Sequence, residues 1–377
     1  MHEIGFEHLH VTPEEEAALA QSIWEQDNVE LTTVGVDVGS STSHLMFARV
    51  HLQRLAEGLS SRFVVVNRQV LWRSPILLTP YRSDDTIDAE FLQGFIADAY
   101  KQAELTPVDI DSGAVILTGE ALKRENAEAI AHLFAEESDK FVCASAGHHM
   151  ESLMAAHGSG AVALSRQEHK TFLNVDMGGG TVKLALVHGG RLLHTAAFAV
   201  GGRLIAFDDD GNMDRIEGPA EQIAADLGIT LKLGEKLADE DKDRIVQRMV
   251  DVIVSFALRE PEDELCKALA VTDFLPTTPM PDAVTFSGGV SEYVYGRETA
   301  EHNDLGRPLA DGVTQALADK RIPLPIYDPG QGIRATVVGA SQFSVQVSGN
   351  TIFISDFDRL PIRNVPVARL SVDLTGD

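Results

Sequence analysis

Val34 to Val50 reads VGVDVGSSTSHLMFARV: an apolar run, an Asp, a turn of small residues and a second apolar run. The pattern predicts two strands joined by a tight turn. It recurs further along the chain. Leu173 to Val187 reads LNVDMGGGTVKLALV, and at one constant offset Val36 matches Val175, Asp37 matches Asp176, Gly39 matches Gly178, Thr42 matches Thr181 and Leu45 matches Leu184. A single glycine-rich hairpin turn is commonplace, but a hairpin repeated with these identities points to two related halves.

The turn has a definite chemistry. Gly39 and the run Gly178, Gly179, Gly180 carry no side chain that would hold a ligand off, so successive backbone amides can converge on an anion. Ser40, Ser41, Thr42 and Thr181 add hydroxyl donors suited to phosphate oxygens. Asp37 and Asp176 cannot take phosphate directly, since like charges repel. The role expected of them is to hold a hydrated Mg²⁺, an ion that keeps several waters and takes few protein carboxylates. Two such hairpins face to face would grip a polyphosphate from both sides.

At 377 residues the chain is long enough for two domains. Its 44% hydrophobic and 23% charged residues are ordinary for a globular protein. The formal charge is −26, with 31 Lys and Arg against 57 Asp and Glu. That balance disfavours nucleic acid and anionic membranes as partners, because both are bound by clustered basic residues. Cys143 and Cys266 stand far apart in apolar surroundings, which is read as buried thiols in a reducing compartment. Two cysteines also exclude a four-cysteine metal or cluster site within one chain. The start, MHEIGFEHLH, lacks the features of a signal peptide, and no run of apolar residues is long enough to span a bilayer.

Four parts are expected: an arm over 1–31, with a helix begun at Thr12-Pro13 and running to about Trp24; one domain over 32–170; a second over 171–345; and a tail over 346–377 with a strand near Thr351 to Ile354. Strands are expected at 63–70, 72–78, 114–117, 141–144, 171–175, 182–187, 192–199 and 283–286. Helices are expected where Ile87, Phe91, Leu92, Phe95, Ile96 and Tyr100 recur at helical spacing, near 123–134, from Asp243 onward and within 261–281, with a closing helix or strand-to-helix turn over 334–343. The small residues of 151–163 would allow close helix packing beside a cleft. Residues 208–218 read as a polar loop. His148-His149 and Glu168-His169 are read as local polar contacts rather than metal ligands.

A third glycine motif follows in order: VTFSGGVSEY, Val284 to Tyr293, a buried strand ending in Gly288-Gly289 where a flat ring could approach the backbone. With it the chain resembles the actin, heat-shock-70 and hexokinase superfamily of ATPases. DVGSST is similar to that superfamily's first phosphate motif, DMGGGT to its second and FSGGVS to its adenosine motif. ESLMAAHGSGA from Glu151 and the stretch 333–343 are similar to its two connecting helices. The resemblance implies an α/β, actin-like (ribonuclease H-like) fold: two duplicated domains, each with a mixed five-stranded sheet, around a central nucleotide cleft holding ATP or ADP with Mg²⁺. More narrowly, SPILLTP at Ser74, DSGAVILTGEALK at Asp111, SAGHHMESLMAAHGSGA at Ser145, NVDMGGGT at Asn174, VGGRL at Val200, SGGVSE at Ser287, RATVVGA at Arg334 and SGNTIFI at Ser348 resemble ethanolamine ammonia-lyase reactivating factors. Those are ATP-dependent chaperones of an adenosylcobalamin enzyme that release damaged cobalamin so that intact cofactor can enter.

Carried onto this chain, the resemblance implies that Gly39, Ser40, Ser41, Thr42, Gly178, Gly179, Gly180 and Thr181 hold phosphates. It implies that Gly202, Gly288 and Gly289 border the nucleoside and that Asp37 and Asp176 position Mg²⁺. Asp176 or Glu151 would orient the attacking water. Heat-shock-70 relatives carry a second acid just after the second phosphate motif, whereas Lys183 stands here. Lys183 could approach phosphate, but its place on a strand favours an outward, solvated side chain as the expectation. Arg203 is expected at the pocket or in a surface turn, and Glu120 at the cleft or capping a helix. The implied partner is ethanolamine ammonia-lyase, and the implied location is cytoplasmic, with association with a bacterial microcompartment and homo-oligomerisation left open. Two other classes remain at this point: a small-molecule kinase on the same fold, and an actin-like structural ATPase.

Overall fold

The computed structural model describes residues 27–39, 42–54, 61–75, 77–80, 82, 86–117, 141–145, 147–259, 263–343 and 348–349. The helices expected near 12–24 and 123–134, the strand near 351–354, and Ser40, Ser41 and Glu120 lie outside them.

The repeated hairpin sits at the centre of each of two sheets. In the first, β1 (Asn28–Val38) runs antiparallel to β2 (Thr42–Arg54), which pairs antiparallel with β3 (Ser61–Arg73). On its other side β1 runs parallel to β5 (Ser112–Leu117), and β5 parallel to β6 (Phe141–Ser145). Two short strands, β4 (Leu77–Leu78) on β2 and β13 (Ser348–Gly349) on β3, extend it. In the second sheet β7 (Thr171–Met177), β8 (Val182–His188) and β9 (Arg191–Phe198) form the same antiparallel meander, and β12 (Ala283–Ser287) lies parallel to β7. Where a fifth strand would stand, a single parallel bridge joins Val284 to Ile326. The strand path 3-2-1-5-6 of the first sheet is therefore matched by 9-8-7-12 in the second. β1 begins at Asn28, inside the range expected for the arm.

The central strands read as unbroken apolar runs because both faces are covered. All seven residues of β7 and the first six of β8 are buried. α1 (Ala89–Gln102), capped by Asp88 accepting from the Phe91 amide, buries Leu92, Ile96 and Tyr100 on the first sheet with Val36, Phe47 and Val115. α5 (Asp239–Leu258) lays Ile245, Met249, Val252 and Phe256 on the second.

Two helices link the sheets: α2 (His148–Ser159) packs on β8 and β9, and α9 (Ala335–Phe343) on β1 and β2. At the crossing Gly158 and Gly339 let the two backbones meet directly. A methyl group placed on Gly158 would lie 1.8 Å from the Ala335 carbonyl oxygen, and one on Gly339 would lie 2.2 Å from the Met154 carbonyl oxygen. The small residues expected to allow close packing are used here for backbone contact.

Two readings need correction. Residues 208–218 are not only loop: β10 (Ile205–Phe207) and β11 (Met213–Ile216) form a hairpin around a turn in which the Asp208 carboxylate accepts from the Asp210 and Asn212 amides. Short strands closed by an Asx turn leave little apolar alternation to read. α8 (Gly306–Ala318) was not foreseen although Leu309, Ala310, Val313 and Ala316 make its buried stripe. Cys266 is buried and free, and no helix among the described residues is long and apolar enough to cross a membrane.

Candidate nucleotide cleft

The two hairpin turns are closed by the same bond. Gly39 N donates to Thr42 O at 3.0 Å, and Gly178 N donates to Thr181 O at 3.0 Å. Both turns sit at the carboxyl ends of the parallel strands, the edge where open α/β sheets present their ligands. They open onto one cavity of about 750 Å³, enough for a nucleotide-sized molecule. Of the predicted positions, Asp37, Gly39, Thr42, Asp176, Gly178, Gly179, Gly180, Thr181, Gly202, Gly288 and Gly289 all line it. Glu151 does not. It lies behind Lys183, on α2.

The third glycine motif meets the second directly. Gly288 has φ +83°, and a Cβ there would come within 2.3 Å of the Met177 carbonyl oxygen, so only glycine suits the position. A buried ladder of hydroxyl and amide groups joins β12 to β7. Thr285 Oγ1 donates to Asn174 Oδ1 at 2.9 Å, Asn174 Nδ2 to Ser287 Oγ at 3.0 Å, and Ser287 Oγ to Asp176 Oδ1 at 2.7 Å. The registers that pair Thr285 with Asn174 and Ser287 with Asp176 put these groups level. Asp176 is thus held in one rotamer by its neighbour strand.

The electrostatic centre is Lys183. Its Nζ lies 2.7 Å from Glu151 Oε2 and 3.8 Å from Asp176 Oδ2. Lys183 is 9% exposed, Asp176 3% and Glu151 1%. Burial works against the ammonium, but the Glu151, Asp176 and Asp37 carboxylates outweigh it and hold Lys183 above the usual lysine range. Burial raises the Asp176 carboxyl, against the pull of Lys183 and the Ser287 hydroxyl. The expectation that Lys183 points to solvent is wrong, because β8 is covered on both faces and outward on this strand means into α2 and the cleft.

His44 occupies the equivalent place in the first hairpin. The β1–β2 register sets Asp37 against His44, as the β7–β8 register sets Asp176 against Lys183. His44 Nε2 lies 3.6 Å from Asp37 Oδ2. Burial, with the Arg334 guanidinium adding to it, pushes His44 down to about 4, so at neutral pH the contact is not an ion pair. The signal for His44 was in the sequence, at the repeat position of Lys183. Arg203 lines the cavity, with Nη1 3.5 Å from Asp304 Oδ2. His148-His149 and Glu168-His169 lie apart from the cavity wall, and His149 Nδ1 is 2.7 Å from Thr195 Oγ1.

Comparison with known proteins adds an independent line. A family described as "Ethanolamine utilisation protein EutA" matches residues 29–376. Ethanolamine ammonia-lyase reactivase EutA of Salmonella typhimurium is 34% identical over 343 residues, covering 90% of this chain and 72% of the relative. The Escherichia coli K12 protein of the same name is 34% identical over 345 residues, with the same coverage. Among solved structures, component A of (R)-2-hydroxyglutaryl-CoA dehydratase from Acidaminococcus fermentans aligns over 83% of this chain and 97% of its own, at 14% identity and a TM-score of 0.40.

Proposed function

Because this chain belongs to the family of the ethanolamine utilisation protein EutA, we propose that it is an ATP-dependent reactivating factor for ethanolamine ammonia-lyase. In this role it frees the lyase of damaged cobalamin so that intact adenosylcobalamin can bind. The observation that supports the nucleotide part is the duplicated turn: two amide-to-carbonyl closures of equal length opening on one cavity.

In this reading the glycine turns at Gly39 and at Gly178 to Gly180 hold the phosphates, with Thr42 and Thr181 as hydroxyl donors. Gly202, Gly288 and Gly289 border the nucleoside. The carboxylates of Asp37 and Asp176, at equivalent places on the two sheets, both line the cavity. That donor set fits a hydrated Mg²⁺, which takes one or two carboxylates and keeps its waters. When bound, the ion would neutralise phosphate charge. Ser287 fixes the orientation of Asp176. Lys183 holds Glu151 by a contact of 2.7 Å, and in this reading Asp176 orients the water, with Glu151 acting on it through Lys183. Phosphoryl transfer depends chiefly on such positioning and charge neutralisation.

Work on the lyase requires that the ATP-bound and ADP-bound forms differ in affinity for it, since a ligand shifts an equilibrium only by its differential binding. The test mixes the full chain with cobalamin-inactivated ethanolamine ammonia-lyase, ATP, Mg²⁺ and fresh adenosylcobalamin. Lyase activity should return with the wild type and should not return with Asp37→Ala or Asp176→Ala. No recovery with folded wild-type protein overturns the reading.

A further inference from the structure

Among the described residues, several buried polar groups around the cleft have no hydrogen-bond partner: Arg203 Nε on one side, His44 and Arg334 on another. His44 is 3% exposed and lines the cavity, and among the described residues neither ring nitrogen has a hydrogen-bond partner. Arg334 and Thr336 line the same cavity. Arg334 stands immediately before α9, its carbonyl accepting from the Val338 amide at 2.9 Å. Its guanidinium donates through Nη2 to the Ser74 carbonyl at 3.1 Å, while Nε is buried without a partner. Among the described residues no carboxylate lies within ion-pair distance of it. In a chain of net charge −26 a half-buried arginine without an acid is conspicuous, since taking a charge out of water is unfavourable unless something of opposite sign meets it. Burial and the charge of Arg73 hold its guanidinium below the usual range, against the pull of the Glu292 carboxylate, which lines the same cavity.

Two further features favour an anion there. α9 has nine residues, and its first turn presents the positive end of the helix dipole at Thr336. His44 brings to the same cavity a buried ring whose nitrogens have no hydrogen-bond partner among the described residues and which can donate an N–H to an oxygen. We propose that His44, Arg334 and the first turn of α9 with Thr336 form an oxyanion site for a phosphate group, separate from the two glycine turns. Arginine's paired donors, an imidazole N–H and a hydroxyl suit the several oxygens of a tetrahedral anion. The source is either the terminal phosphoryl group of a bound nucleotide or free phosphate after hydrolysis. Only this identification of the source rests on the nucleotide reading.

The test is calorimetric titration of the full chain, wild type and the Arg334→Gln and His44→Phe variants, with three ligands: inorganic phosphate on nucleotide-free protein, ADP with Mg²⁺, and a non-hydrolysable β,γ-imido ATP analogue with Mg²⁺. Loss of a charge-assisted contact should weaken the phosphate-class ligand by roughly tenfold or more. Weaker inorganic phosphate in both variants assigns the site to free phosphate. Weaker analogue binding, with ADP binding unchanged, assigns it to the terminal phosphoryl group. Variants that bind phosphate and analogue as tightly as the wild type overturn the proposal. So does a wild type that binds neither. A wild type that binds phosphate through Arg334 but not ADP keeps the site and removes the nucleotide reading. Should Arg334→Gln fail to fold, His44→Phe and Arg334→Lys carry the comparison, the lysine variant retaining part of the affinity.

Discussion

Lys183→Met should destabilise the protein more than any other single change of a cleft side chain. The ammonium is 2.7 Å from one carboxylate oxygen and 3.8 Å from another. At an effective dielectric of about 20, Coulomb's law gives roughly 6 and roughly 4 kcal/mol for those separations. Most of that attraction offsets the dehydration of three buried groups. What remains when one partner is deleted is about 3–5 kcal/mol, because carboxylates are left in the interior without a counter-charge. Against a typical total of about 5–15 kcal/mol, this is a large share. Methionine keeps the length and volume of the lysine stem, so packing loss is minor. Urea unfolding followed by circular dichroism reads the effect as a lower midpoint at unchanged slope. The double variant Lys183→Met with Glu151→Gln removes the stranded charge as well, and should recover part of the loss, giving a coupling of about 1–3 kcal/mol in a mutant cycle. A Lys183→Met protein within about 0.5 kcal/mol of wild type, the range of an ordinary surface substitution, would refute the reasoning and restore the solvated lysine that the strand position suggests.

Three further outcomes are expected. Gly158→Ala should cost about 1–3 kcal/mol and separate α2 from α9, since its methyl falls 1.8 Å from the Ala335 carbonyl oxygen; a melting temperature equal to wild type would contradict the described crossing. Ser287→Ala leaves Asn174 Nδ2 without its acceptor and Asp176 without its donor, a loss of about 1–3 kcal/mol, readable by denaturant titration and accompanied by slower ATP hydrolysis. Asp263 caps α6 (Glu264–Leu269) through the Leu265 and Cys266 amides and pairs with Arg248 at 2.6 Å. Burial works against its charge, but Arg248 and the two amides outweigh it and hold the carboxyl below its usual range. Its contribution, about 1 kcal/mol as a cap, is therefore present above the unfolded carboxyl value near pH 4 and lost as pH falls through the lower folded one. Melting curves of Asp263→Ala and wild type should converge toward pH 3.

The paired hairpins and the glycines and carboxylates that line the cleft were legible because glycine, Asp and Thr recur at one offset, and local turn chemistry decides those positions. The charged groups behind the cleft, Lys183 with Glu151, were not, since their placement depends on which sides of β8 are covered. Alternation along a strand places Lys183 outward, but α2 lies there, and only the packing of a distant helix turns outward into buried. His44 shows the same limit from the other direction. The repeat equates it with Lys183, yet one position carries a cation and the other a neutral ring: burial, with Arg334 adding to it from the far end of the chain, pushes His44 down, whereas carboxylates led by Glu151 outweigh burial at Lys183. α8 was overlooked for a plainer reason: its stripe of Leu309, Ala310, Val313 and Ala316 is half alanine, a weak periodic signal.

The bare crossing of α2 and α9 makes a fulcrum. Glu151 lies seven residues from Gly158 along α2, a lever arm of about 10 Å at 1.5 Å per residue. A rotation of about 10° around the crossing would carry the Glu151 turn of α2 about 2 Å relative to α9 and the first sheet. Because α2 packs on β8, Glu151 and Lys183 would travel together, and such a turn would shift the pair relative to the β1–β2 hairpin across the cleft.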